Sequence, residues 1–88
     1  MSSINDVWRR IAGRQGEVFR QVRGASFTYR LDGAVLVPDR TDYGLGKSQF
    51  ARAIERVPLP NTAAARDLRG RSYIFAILMD PRIRAGEW

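Results

Sequence analysis

Two short runs, Phe27-Thr28-Tyr29-Arg30-Leu31 and Ala34-Val35-Leu36-Val37, flank Asp32-Gly33, and nothing else in the chain constrains its fold so strongly. Both runs are rich in β-branched and aromatic residues, and an Asp-Gly pair between such runs signals a tight antiparallel hairpin. A two-residue turn there sets Leu31 opposite Ala34, Tyr29 opposite Leu36 and Phe27 opposite Pro38 on one face. Thr28, Arg30, Val35 and Val37 then occupy the other. Upstream, Glu17 to Arg23 reads as a third strand joined through Gly24-Ala25. With a two-residue connection, Val18 and Val22 share the face of Tyr29, while Phe19, Gln21 and Arg23 share that of Arg30. A bulge at Gly24 would invert this strand, because side chains alternate with a period of two. The expected sheet is a three-stranded antiparallel meander over about 17–23, 26–31 and 34–38.

Helical spacing appears on both sides of it. Ser3 is placed to cap a helix with Asp6 three residues on, followed by Ile4, Val7, Trp8 and Ile11 on one face and Gly13 as a stop. A second helix is expected from Ser48 to Val57, with Phe50, Ile54 and Val57 inward, Arg52 and Arg56 outward, and Pro58 and Pro60 ending it. Asn61 or Thr62 can cap a short helix that runs through Leu68 and stops at Gly70. Tyr73 to Met79 is the most apolar run. Its length and Ser72 favour a buried helix, whereas its β-branched and aromatic content suits a central strand. Residues 82–88 read as an extended C-terminal arm. The expected class is α+β: an N-terminal helix, the meander, and two or three C-terminal helices on one sheet face, within a single domain of 88 residues.

Charge is where function enters. Fourteen arginines and one lysine stand against nine acids, giving a net charge of +6. A GC-rich coding sequence would favour arginine over lysine, but would not make acids scarce. A surface of this sign draws polyanions, and nucleic acid is the first partner to consider. The chain has no histidine and no cysteine, so it lacks the side chains most used as bases, nucleophiles and transition-metal ligands. No disulfide framework is possible. No apolar run approaches the roughly 18 residues that a membrane span requires. Met1 to Asp6 lacks the basic and apolar regions of a signal peptide, so a cytoplasmic setting follows by elimination.

Several short motifs fail on physical grounds. Gly44-Leu45-Gly46-Lys47-Ser48 matches the end of a phosphate-binding nucleotide loop, but Thr41 stands where the first glycine must be. The preceding strand also belongs to an antiparallel hairpin. A softer role survives, with Lys47 at a helix N-terminus holding one backbone phosphate. Pro38-Asp39 lacks the second acid and lysine of a nuclease centre, and Asp39, Asp42 and Asp80 form a weak magnesium set. A helix-turn-helix over Thr62–Asp80 would present an apolar recognition helix to the major groove, which base reading does not permit. No catalytic residue, metal or cofactor is expected.

The sequence therefore favours a small, non-enzymatic nucleic-acid-binding module. Arg23, Arg30, Lys47, Arg52 and Arg56 are its candidate phosphate contacts, and Phe19 is a candidate stacking platform on the outer sheet face. The alternative is a protein-interaction domain, a homodimer or an adaptor or inhibitor of an acidic partner. Aromatic residues and arginine are what protein interfaces favour.

Overall fold

A computed structural model describes residues 3–85 and 88. The fold is α+β, with three α-helices and two antiparallel sheets among the described residues. Met1, Ser2 and positions 86–87 of the expected arm lie outside the described residues.

Helix α1 (Ile4–Ala12) starts as its sequence dictates, with Ser3 Oγ accepting the Asp6 N–H at 3.2 Å. Val7 and Ile11 are fully buried. Trp8 packs edge-on against Phe50 of α2 (Lys47–Ile54), with ring centroids 5.5 Å apart. Between the two helices in sequence comes the hairpin β3 (Tyr29–Asp32) and β4 (Val35–Pro38), extended by the two-residue strand β5 (Leu45–Gly46) in the order β3-β4-β5. Its turn is Gly33-Ala34 rather than Asp32-Gly33, with Gly33 at φ 61° in the first central position. Tyr29 consequently faces Pro38 instead of Leu36. That slip is two residues, an even number, so the inward set of Tyr29, Leu31, Leu36 and Pro38 is preserved.

The upstream segment departs further. The third strand of the meander is β5, and Phe19–Arg20 (β1) pairs instead with Ser26–Phe27 (β2) in a separate sheet. The connection is a five-residue loop, not two residues, with Gly24 at φ 93°. Phe19 rather than Val22 therefore stands opposite Phe27, a slip of three residues, and an odd slip exchanges the faces. Phe19 turns inward at 1% exposure, while Val18 and Val22 face solvent. The chain changes sheet at Thr28. Its N–H bonds the Asp39 carboxylate and its carbonyl accepts the Asp39 N–H, both at 2.9 Å.

Gly44 explains β5. A Cβ there would collide with the Val35 side chain, so glycine is what lets this strand approach β4. The outer edge of β3 is occupied as well: Tyr29 C=O accepts the Gly16 N–H at 3.1 Å, and Leu31 N–H donates to Gln15 Oε1 at 2.7 Å.

The short helix before Gly70 is a single 3-10 turn, Thr62–Ala65. The apolar run forms helix α3 (Arg71–Leu78), with Ile74, Ile77 and Leu78 fully buried. One core joins these elements, and in it Phe19, Phe27, Tyr29 and Tyr73 make successive ring contacts at 4.9–6.1 Å. The expected arm folds back instead. Ile83 and Arg84 N–H both reach Asp80 C=O at 2.9 Å, and Ile83 is fully buried. The Trp88 indole donates to Leu78 C=O at 2.9 Å. Two large apolar side chains so close to the core gain more by docking than by extending into water.

Candidate functional site

The loop between β1 and β2 and the start of α3 form the two walls of a groove. Gln21 N–H donates to Ala25 C=O, and Gly24 N–H to Gln21 C=O, both at 2.8 Å, which fixes the loop. The opposite wall turns at Gly70, whose φ is 72° and whose missing Cβ would collide with Leu45. Two adjoining cavities result. One, of about 390 Å³, is lined by Gln21, Val22, Arg23, Thr62, Arg71 and Ser72. The other, of about 330 Å³, shares Gln21, Arg71 and Ser72 and adds Tyr43, Arg66 and Tyr73. Arg69 lies over the Tyr43 ring at 4.5 Å, and beyond Val22 a further depression reaches Arg20.

Acidic partners divide the arginines into two groups. Arg56 grips Asp67 in a bidentate pair at 2.6 and 2.9 Å, and these hydrogen bonds hold the Asp67 carboxyl down to about 2. Arg82 holds both oxygens of Asp80 at 2.9 Å, reaches Glu17 at 3.1 Å, and covers the Phe19 ring at 3.9 Å. Its hydrogen bonds keep Asp80 below the usual carboxylate range. Arg14 pairs with Glu17, and Arg9 with Asp6. Among the described residues, Arg20, Arg23, Arg66, Arg69 and Arg71 have no carboxylate within ion-pair distance. Among the described residues no acid lines either main cavity. Among the described residues Arg10, Arg30, Arg40 and Arg52 also lack an acidic partner, but none of them lines these two cavities.

The residues singled out from sequence are thus dispersed. Arg23 is in the groove. Arg30 stands on the outward face of β3, opposite Val37, in a separate depression with Asp39. Arg52 is exposed on α2, and Arg56 is committed to Asp67. Lys47 opens α2, but its Nζ donates to Asn5 Oδ1 at 2.8 Å and its N–H to Ala34 C=O at 2.8 Å. Phe19 is not available for base stacking, because the three-residue slip puts it in the core beneath Arg82. The carboxylates Asp39, Asp42 and Asp80 are not brought together as a metal set. Arg20, Arg66, Arg69 and Arg71 escaped sequence reading. The last three crowd around Gly70 at a helix boundary, and that crowding is the signal that could have found them.

Among the described residues no helix is long and apolar enough to cross a membrane. No protein-family model matches the chain, and no curated protein or solved structure matches it significantly.

Proposed function

We propose that this chain is a small, non-enzymatic nucleic-acid-binding module, acting in the cytoplasm, that holds the phosphate backbone in the groove between the β1–β2 loop and α3. The observation that carries this is the convergence of Arg23, Arg66, Arg69 and Arg71 on two adjoining cavities that no carboxylate lines among the described residues, with Arg20 beyond them in a depression it shares with Asp80. Guanidinium groups matched with acids elsewhere contribute little to an external field. The five in and around the groove retain theirs. Helix α3 turns its apolar side chains inward, so contact is made to backbone rather than to base edges.

Counterion release gives the test a number. If three or four phosphates are neutralised, single-strand affinity falls with log salt at a slope of about −2 to −3, or roughly 20- to 60-fold between 50 and 200 mM. Fluorescence anisotropy with labelled single- and double-stranded oligonucleotides measures it. Arg23→Ala and Arg71→Ala each reduce the slope by about 0.7, whereas Arg56→Ala leaves it unchanged. Absent or salt-independent micromolar binding refutes the proposal. The exposed Val18 and Val22, at 59% and 66%, favour one second reading, an acidic protein partner seated on the same side. Light scattering with and without oligonucleotide separates the two.

A further inference from the structure

We infer that the 390 Å³ cavity receives a terminal phosphate monoester, so that the module recognises the end of a strand. This rests on the nucleic-acid reading above and adds to it a ligand class and a site. It is less open to solvent than the adjoining cavity and than the depressions at Arg20 and Arg30, and its lining is mostly polar. Gln21, Arg23, Thr62, Arg71 and Ser72 supply two guanidinium forks, two hydroxyls and an amide. Among the described residues none of these five side chains makes a hydrogen bond within the protein. Comparable groups elsewhere are engaged: Gln15 with Leu31 N–H, Gln49 with Arg69 N–H, Thr41 with Tyr43 C=O and Asn5 with Lys47. A cluster of donors left open around one enclosed space, with no acid among them, matches an anion of high charge.

The form of the cavity decides which phosphate. An internal phosphodiester has chain on both sides, offers two free oxygens and carries one negative charge. A monoester carries between one and two charges on three free oxygens, and enters a recess from one side. The adjoining cavity, continuous through Gln21, Arg71 and Ser72, leaves room for the next nucleotide against Arg66 and Tyr73. The 5′ and 3′ ends present the same chemistry.

The test uses one internally labelled single strand in three forms: 5′-phosphorylated, 3′-phosphorylated and hydroxyl at both ends. In anisotropy at about 150 mM salt, one phosphorylated form binds at least about tenfold tighter than the hydroxyl form, equivalent to 1.4 kcal/mol. Millimolar inorganic phosphate abolishes that preference. Thr62→Val and Ser72→Ala, which change no charge, each weaken binding of the preferred phosphorylated form by a larger factor than binding of the hydroxyl form, whereas Arg56→Ala, whose guanidinium is committed to Asp67, changes neither; using both hydroxyl variants guards against one failing to fold. Equal, salt-dependent affinity for all three strands overturns the terminal-phosphate inference and leaves the backbone-binding module standing. No binding of any strand removes both. An equal or greater gain for a phosphoserine peptide over its unmodified form also overturns the inference, since the site would then read phosphate on protein.

Discussion

Replacing Arg82 with alanine should destabilise the fold without touching the groove, and the contacts of its guanidinium set the size of the effect. Four of its N–H groups are engaged: two on Asp80, one on Glu17 and one on Val18 C=O, and its flat face covers Phe19. Through these bonds it ties the segment after α3 to the segment before β1. The side chains of Arg82, Asp80 and Glu17 are 30%, 19% and 39% exposed, so solvent weakens the ion pairs toward surface values. The Asp80 pair is also local in sequence and partly persists on unfolding. Allowing about 1 kcal/mol for Asp80 and about 0.5 each for Glu17, the carbonyl and the ring, the loss is about 2.5 kcal/mol. In a domain of this length that lowers Tm by about 10–20 °C. Urea unfolding followed by tryptophan fluorescence reads it directly, because Trp8 and Trp88 both pack on the core. Arg82→Lys keeps the charge but not the fork, and should fall near halfway. Arg23→Ala, an exposed unpaired arginine, should stay within about 0.5 kcal/mol of the parent. A loss at Arg82 below that same margin would refute the division between structural and free arginines.

Three further outcomes follow from the core and its rim. Tyr29→Phe removes a buried hydroxyl that donates to Ile11 C=O at 2.6 Å; that carbonyl still accepts the Arg14 N–H, so the loss is about 1 kcal/mol by urea unfolding. Burial, with Glu17 nearby, pushes the Tyr29 phenol well above its ordinary value. Because the folded-state pKa is the raised one, stability should decline as pH climbs past about 10, and Tyr29→Phe should flatten that decline. Gly70→Ala combines a left-handed backbone with a collision against Leu45, and should lower stability by about 3 kcal/mol in a thermal melt. Asp67 and Asp80 are both held below the unfolded carboxylate value, so the stability they contribute is present at neutral pH. It is lost as pH falls from about 4 toward 2, and Asp80→Asn should weaken that acid dependence.

The sequence shows its local signals well and its pairing arithmetic poorly. The Ser3 cap and the spacing of Val7 and Ile11 fix α1, and Tyr29, Leu36 and Pro38 are inward as the alternation requires. What alternation cannot supply is loop length. At Gly33 the slip was even and harmless, whereas at Gly24 it was odd and exchanged Phe19 with Val22. The candidate site inherited that exchange. A stacking face built on Phe19 dissolved, and Arg56, outward by periodicity, met an acid eleven residues away. Arg66, Arg69 and Arg71 converge with Arg23 only because a long-range contact brings α3 beneath the β1–β2 loop. No short window of sequence encodes that meeting.

The stopper that Gln15 and Gly16 place against the exposed side of β3 closes one whole route of recognition. A visiting peptide could not zip onto this sheet as an extra strand there without first evicting both residues, and neither could a sister molecule. Along that margin, recognition is left to side chains rather than to main-chain pairing. The hairpin is thereby shielded from the templated stacking to which bare strand margins are prone.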